Sequence, residues 1–153
     1  MESLTQLNLV APARLLQAVI PGMRTRKRGR ILVIGSGAGT FPMPGQAVYV
    51  ATKHGLHGLC DAVRLELKGS GVTLTESMPG PVEMGFDAAA GIEGGMGGPV
   101  AGLKISAREC AEDSLEALDR GRAVCFPGRR YNAFMTATNL LPARLLRLVA
   151  SRQ

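Results

Sequence analysis

Two strand-like segments separated by one helix-length segment constrain most strongly how this chain can fold. The first, Arg30 to Gly35, contains the uninterrupted apolar run Ile31-Leu32-Val33-Ile34, which is typical of a strand covered on both faces of a sheet. The second strand is predicted at Val72 to Met78, after a helix from Gln46 to about Lys68. A helix that joins two such strands predicts a parallel pair with a right-handed crossover.

The flanking segments extend this alternation. The chain opens in a helix with apolar residues at helical spacing, which is predicted to end at Pro21-Gly22. Ser106 is predicted to cap a later helix, whose Leu115 and Leu118 would face the core. A third strand is predicted at Arg122 to Phe126. The repeated order of helix and strand predicts an α/β fold with a doubly wound parallel sheet and helices on both faces.

The composition fits one soluble globular domain. The chain has 153 residues, of which 46% are apolar and 20% are charged. Residues 85–104 are Gly-rich and without periodicity, so they are predicted to form a variable loop, and residues 131–153 are predicted to form a basic amphipathic tail. The formal charge of +6 comes partly from residues 24–30. This run lacks interleaved aromatic residues, so we interpret it as a solvated turn rather than a nucleic-acid site.

The cysteines and histidines do not indicate a metal site. Cys60, Cys110 and Cys125 are odd in number and have neither zinc nor redox spacing, so reduced thiols in a cytoplasmic protein are expected. His54 and His57 are interpreted as surface or packing residues rather than metal ligands. No segment resembles a signal peptide or is apolar over a membrane-spanning length, which agrees with a cytoplasmic location.

A tyrosine and a lysine four residues apart carry the chemistry that we predict. Tyr49 and Lys53 share one face of the central helix, and Ser36 follows the first strand. A phenol is a poor base at neutral pH, but a neighbouring ammonium stabilises its phenolate form. Tyr49 is thereby suited to give a proton to a carbonyl oxygen or take one from an alcohol, while Ser36 holds that oxygen. No side chain supplies a hydride, so a redox cofactor is required.

Asn8 stands four residues before Pro12 in the first helix. Because proline has no N–H, the backbone carbonyl of Asn8 is expected to lose its helical partner. The segment is then either a simple kink at Pro12 or a proton relay, in which the free carbonyl holds an ordered water that links Lys53 to solvent. Beside the Ser, Tyr and Lys set, we favour the relay.

These residues occur in an order and spacing that resembles a known family. The matching segments are Asn8-Leu9, residues 29–36, Pro44-Gly45, residues 49–53 and residues 79–82. Together they resemble the carboxyl-terminal half of a short-chain dehydrogenase/reductase, and the resemblance covers nearly the whole chain. It implies the last three strands of a partial Rossmann-type sheet with flanking helices, without the N-terminal nucleotide-binding half.

The resemblance implies a role for each matched position. The catalytic tetrad would consist of Asn8, Ser36, Tyr49 and Lys53. Tyr49 would be the acid/base. The nicotinamide part of NAD or NADP would contact Tyr49, Lys53, Pro79, Gly80 and Val82. The substrate would be a small-molecule carbonyl or alcohol that the loop at 85–104 selects.

Two departures from the family pattern bear on cofactor binding. Met84 stands where the family has Thr or Ser, so one hydrogen bond to the nicotinamide carboxamide, worth about 1 kcal/mol, is expected to be lost. The family's Gly-rich phosphate loop and first strands have no counterpart in this sequence, so the binding of NAD or NADP is expected to be weakened. The strand at residues 31–34 would also become a bare apolar edge that favours self-association.

The resemblance therefore predicts an NAD(P)(H)-dependent oxidoreductase, incomplete in this chain, that works as a homo-oligomer or with a partner supplying the missing half. One alternative is a non-catalytic remnant that dimerises through its two long helices. Another is a basic module that binds nucleic acid or, through the tail, an anionic membrane surface. Binding of a dinucleotide distinguishes the first two hypotheses, and strongly salt-dependent binding would mark the third.

Overall fold

A computed structural model describes residues 2–83 and 102–140. In chain order the elements are α1 (Glu2–Thr5), a π-helical turn (Gln6–Val10), α2 (Ala11–Thr25), β1 (Gly29–Ile34), a 3₁₀ turn (Gly37–Gly39), α3 (Ala47–Glu66), β2 (Val72–Ser77), β3 (Val82–Glu83), β4 (Ile105–Ser106), α4 (Ala107–Asp119), β5 (Val124–Cys125) and α5 (Arg129–Asn139). Met84, most of the predicted loop at 85–104 and the tail beyond residue 140 lie outside the described residues. None of the described helices is long and apolar enough to cross a bilayer.

The described sheet is parallel and has the strand order β1-β2-β5. Its register runs from Gly29 opposite Val72 to Ile34 opposite Ser77. A short separate ladder pairs β3 with β4, also in parallel. The predicted α/β fold with a parallel sheet and flanking helices is therefore confirmed. Strand β1 forms one edge of the described sheet, and Ile34 at its end is 56% exposed.

The main core lies between α3 and the sheet. Helix α3 buries one face, which consists of residues at helical spacing: Leu56, Cys60 and Val63, followed by Leu67 just past the end of the helix. These side chains pack against residues of β1, β2 and α2, namely Val33, Val72, Leu74 and Leu16. Burial of one large aliphatic side chain of this kind contributes about 1.5–3 kcal/mol. The packing fixes α3, and with it the residues on its adjoining face, relative to the strand ends.

The first helix does not end at Pro21-Gly22, so that prediction was wrong. Helix α2 continues to Thr25, with Pro21 inside it. Proline lacks a single backbone donor, so only one hydrogen bond of the helix is lost at Pro21. The turn after it is supported by the Thr25 hydroxyl, which donates to the Pro21 carbonyl at 3.1 Å. Arg24 lies in the last turn, where a cation is favourable, and its guanidinium donates to the carbonyl of Glu66.

The backbone around Asn8 forms a π-helical turn, a feature that the sequence interpretation did not predict. The turn Gln6–Val10 ends where the N–H of Ala11 donates to the carbonyl of Gln6. It lies directly before the segment in which Pro12 occupies an early position of α2. Turns of this kind are rare in proteins and often occur at functional sites. The proton relay through the Asn8 carbonyl stays a prediction.

The core face of α4 also differs from the predicted one. The helix is capped as expected, because the Ser106 hydroxyl accepts the N–H of Glu109 at 3.1 Å. Its buried residues, however, are Ser114 and Ala117, whereas Leu115 is 53% exposed and Leu118 is only partly buried. Small side chains let the helix approach the sheet closely, and the Ser114 hydroxyl is held by the Cys110 carbonyl at 2.6 Å.

Two glycines with positive φ form the turn into β2. Gly69 has φ +75° and Gly71 has φ +76°. A Cβ at Gly71 would lie 2.0 Å from the carbonyl oxygen of Lys27, whereas a Cβ at Gly69 would meet nothing within 4 Å. Gly71 is therefore required both for its backbone conformation and for close approach to the turn before β1.

Candidate active site

The predicted site residues gather beyond the carboxyl ends of β1 and β2. Past the strands, the N–H of Gly35 donates to the Ser77 carbonyl at 2.7 Å and that of Gly37 to the Pro79 carbonyl at 3.0 Å. These two bonds hold the loop that carries Ser36 against the loop that carries Gly80. In open parallel sheets this edge is where ligands bind.

Ser36 caps the 3₁₀ turn Gly37–Gly39 in an extended conformation. Its hydroxyl oxygen accepts the N–H of Ala38 at 3.2 Å, and the side chain remains partly exposed. The turn packs against α3: a Cβ at Gly39 would lie only 3.0 Å from the carbonyl oxygen of Lys53. The absence of a side chain at Gly39 thus lets the Ser36 turn approach the helix at Lys53.

Tyr49 and Lys53 lie on the face of α3 that borders this turn. The Lys53 Nζ is 5.7 Å from the centroid of the Tyr49 ring, and both side chains are partly buried. Burial lowers the pKa of Lys53, and the negative charge of Glu76 acts in the opposite direction. The ammonium and the phenol thus lie side by side on one partly buried face of α3.

Asn8 joins this group through Thr52. The Asn8 Nδ2 donates to the Thr52 hydroxyl oxygen at 3.3 Å, and that hydroxyl donates to the Tyr49 carbonyl at 2.8 Å. Thr52 is only 4% exposed. The sequence interpretation missed Thr52, although its position three residues after Tyr49 and next to Lys53 was a signal. The link fixes the π-helical turn to the helix that carries the Tyr and Lys pair.

The residues predicted to line a nicotinamide are accessible. Pro79, Gly80 and Val82 are all partly exposed, whereas Pro81 between them is buried. Val82 is held in β3 by its pairing with Ile105. An accessible apolar strip beside a hydroxyl, a phenol and an ammonium fits one face of a nicotinamide ring and its ribose.

A charged cluster that the sequence interpretation missed lies behind the site. Glu76 on β2 is fully buried, and the Nδ1 of His57 donates to its Oε2 at 2.8 Å. Arg64 Nη2 is 3.6 Å from the same oxygen, and Asp61 forms an ion pair with Arg64. The hydrogen bond to Glu76 raises the pKa of His57. His57, predicted to be a surface or packing residue, is therefore the hydrogen-bond partner of a buried carboxylate.

A family model described as short chain dehydrogenase matches residues 1–92. The chain belongs to this family. Members of the short-chain dehydrogenase family are oxidoreductases, in agreement with the resemblance inferred from the motifs.

Curated relatives match about half of the chain. The chain is 40% identical over 84 residues to 17-beta-hydroxysteroid dehydrogenase type 1 of Homo sapiens. This match covers 55% of this chain and 26% of the relative. The chain is also 42% identical over 80 residues to a short-chain dehydrogenase/reductase of Penicillium canescens. This match covers 52% of this chain and 31% of the relative. The matches thus span about a quarter to a third of these relatives.

Solved structures show the same fold. A short chain dehydrogenase from Burkholderia cenocepacia in complex with NADP has a TM-score of 0.76 at 19% identity, over 95% of this chain and 56% of its own. A short-chain dehydrogenase from Sphingobium yanoikuyae in complex with NADPH has a TM-score of 0.71 at 28% identity, over 87% of this chain and 52% of its own. The described fold therefore corresponds to about half of a family member.

Proposed function

We propose that this chain carries the catalytic residues of an NAD(P)(H)-dependent oxidoreductase that interconverts carbonyl and alcohol groups. The proposal rests on one observation above all: Lys53 Nζ lies 5.7 Å from the Tyr49 ring centroid, on the helix face that the Ser36 turn approaches. A phenol, an ammonium and a hydroxyl at the carboxyl edge of a parallel sheet are suited to proton transfer at a carbonyl oxygen.

In the direction of reduction, Tyr49 donates its phenolic proton to the substrate oxygen as negative charge develops there. The Ser36 hydroxyl donates a hydrogen bond to the same oxygen and orients the carbonyl. Lys53 stabilises the phenolate that remains, and Asn8 holds the helix segment in position through Thr52. In the direction of oxidation, the phenolate takes the proton from the alcohol.

NAD or NADP, when bound, supplies or accepts the hydride. The residues of this chain that would hold its nicotinamide end are Tyr49, Lys53, Pro79, Gly80 and Val82. The similar structures in complex with NADP and NADPH support the use of a nicotinamide cofactor.

The decisive experiment compares two matched lysine variants and one tyrosine variant. Oxidation of NADH and NADPH is followed with a panel of small ketones and aldehydes, in the presence of the amino-terminal half of a family member, for the unmodified chain, Tyr49→Phe, Lys53→Met and Lys68→Met. Lys68 is exposed just past the end of α3, so it controls for the loss of one positive charge. We expect Tyr49→Phe and Lys53→Met to lose at least about 100-fold in kcat, as for loss of general acid–base catalysis, and Lys68→Met to retain full turnover. Unchanged turnover in Tyr49→Phe would refute the mechanism.

A second candidate function is that of an interaction module. Large apolar side chains on the first helical segment are exposed, with Leu7 at 70% and Leu15 at 65%, and β1 presents an edge of the described sheet. A second copy, or a polypeptide that adds further parallel strands at β1, would cover these surfaces. We propose that activity requires such a partner in a cytoplasmic homo-oligomer or a two-part enzyme.

This second candidate is tested by sedimentation and by complementation. The chain alone is expected to self-associate, and addition of the amino-terminal half of a family member is expected to restore oxidation of NAD(P)H. A strictly monomeric chain that shows full turnover by itself would contradict the need for a partner.

A further inference from the structure

Aromatic side chains are concentrated beside the Ser36 turn. Three of the four phenylalanines and one of the two tyrosines of the chain form or contact a single apolar cluster, made up of Phe41, Phe126, Tyr131, Phe134, Met135, Met43 and Leu103. Phe41 directly follows the turn, and its N–H donates to the Gly37 carbonyl at 3.1 Å. The cluster therefore forms one wall of the edge at which the proposed chemistry takes place.

Tyr131 is the member of this cluster that reaches the site itself. It is 3% exposed, and a Cβ at Gly37 would lie 1.8 Å from its hydroxyl oxygen. A Cβ at Gly80 would lie 2.5 Å from its ring. The phenol is thus inserted between the loop of Ser36 and the loop of Gly80, and only glycine at both positions leaves room for it.

The position of Tyr131 is fixed from outside the site. Gly128 directly precedes helix α5; its N–H donates to the Asp113 carboxylate at 2.7 Å, and its carbonyl accepts the N–H of Asn132 at 2.7 Å. The ring of Phe126 contacts that of Tyr131 edge-on, with 6.2 Å between the centroids. These contacts anchor the first turn of α5 and hold the phenol in place.

We infer that Tyr131 is a specificity-determining residue of the proposed site: its ring fills the space between the Ser36 and Gly80 loops, so the site accepts small ketones and disfavours ketones bulky enough to need that space. The inference rests on the proposed function and names its substrate class. Burial, and to a smaller extent the proximity of Tyr49, raise the pKa of Tyr131. Its phenol stays protonated at neutral pH and therefore does not compete with Tyr49 as a base.

The inference is tested by ligand binding in the absence of cofactor, so that it does not depend on turnover. Acetophenone and acetonaphthone are titrated into the chain with isotope-labelled methionine methyl groups. Met135 is the reporter, because its methyl carbon would lie 3.5 Å from a Cβ at Gly37. Met23 is the control, because it packs against Gly29 at the opposite end of β1.

The wild-type chain is expected to bind acetophenone more tightly than acetonaphthone, with shifts at Met135 and none at Met23. Tyr131→Ala is expected to change this preference by about tenfold in favour of acetonaphthone, the lower part of the range for altered apolar volume in a pocket. Tyr131→Phe keeps the ring and is expected to retain the wild-type preference. Tyr131→Leu, which fills more of the space than alanine, decides the matter if Tyr131→Ala does not fold.

A wild-type preference in folded Tyr131→Ala or Tyr131→Leu would overturn the inference and leave Tyr131 as a packing residue only. The same holds if neither ketone shifts Met135 in any of the proteins, or if Tyr131→Phe behaves like Tyr131→Ala. If Tyr49→Phe keeps its turnover but the Tyr131 variants change the ketone preference as expected, only the acid–base mechanism is refuted. If Tyr49→Phe loses its turnover but the Tyr131 variants keep the wild-type ketone preference, only the role of Tyr131 is refuted.

Discussion

The buried pair of Glu76 and His57 allows a sharp test of the electrostatics behind the site. We consider the substitutions His57→Leu and Glu76→Met, singly and together. Each replaces a polar side chain by an apolar one of similar size, so the double variant removes both partners without leaving a large cavity. The free energy of unfolding of the four proteins gives the coupling energy between the two side chains.

The geometry sets the expected magnitude. Glu76 is fully buried and receives the hydrogen bond of His57 at 2.8 Å, while Arg64 Nη2 stays at 3.6 Å and Oε1 has no hydrogen-bond partner among the described residues. A hydrogen bond to a charged group contributes about 1.5–3 kcal/mol. Because Arg64 remains nearby, His57→Leu should cost less than the 3–5 kcal/mol, roughly, of a fully broken buried pair. We therefore expect a coupling energy of about 2 kcal/mol.

The coupling should also depend on pH in a defined direction. The hydrogen bond to Glu76 raises the pKa of His57 in the folded state, with Asp61 acting in the same direction and burial and Arg64 against it. A raised folded pKa contributes stability that is complete below the unfolded value of about 6.5 and is lost as the pH rises through the folded value. His57→Leu should therefore lose more stability at about pH 6 than at about pH 9.

Urea denaturation followed by circular dichroism at both pH values is the assay. Coupling below about 0.5 kcal/mol, the range of simple additivity, would show that the pair does not interact energetically. A larger loss at the higher pH would refute the assigned sign. The Glu76→Met variant has a functional consequence as well, since it removes the charge that opposes the lowering of the Lys53 pKa.

Two further predictions concern stability and reactivity. Gly69→Ala should lower the free energy of unfolding by about 1 kcal/mol, because only its positive φ is unfavourable for alanine. Gly71→Ala should lower it by about 1–3 kcal/mol more, because its Cβ would also clash with the Lys27 carbonyl. Equal urea midpoints of the two variants would contradict this. Iodoacetamide should modify Cys110 before Cys60, because Cys60 is fully buried and burial raises its pKa to about 12, while Cys110 is partly exposed. Peptide mapping after timed quenching measures the order, and modification of Cys60 at the rate of Cys110 would refute it.

The sequence was sufficient to predict the layers of the fold. The apolar run of β1 and the Gly-bounded helix α3 carry strong local signals, and both were located to within a few residues. Local signals failed where tertiary contacts decide the outcome. Pro21 normally ends a helix, but here α2 continues through it to Thr25, whose hydroxyl donates to the Pro21 carbonyl. The exposure of Leu115 likewise follows from the close packing of Ser114 and Ala117, which periodicity alone does not reveal.

The candidate site was predictable where chemistry and spacing coincide. Tyr49 and Lys53 are four residues apart on one helix, so their proximity follows from helix geometry. The contacts of Glu76 and Tyr131 were not predictable, because each depends on residues distant in sequence. His57 and Glu76 lie on different elements, and Tyr131 meets Gly37 and Gly80 only through the docking of α5.

The register between β1 and β2 also orders the events of folding. Gly29 can pair with Val72 only after the whole of α3 and its flanking turns has been spanned, so the sheet is built from contacts that are distant along the chain. Helix α3 forms from local contacts and is expected to appear first, with its apolar face and the β1 edge uncovered until the strands meet. Refolding should therefore compete with association between chains, and its yield should fall as the protein concentration rises.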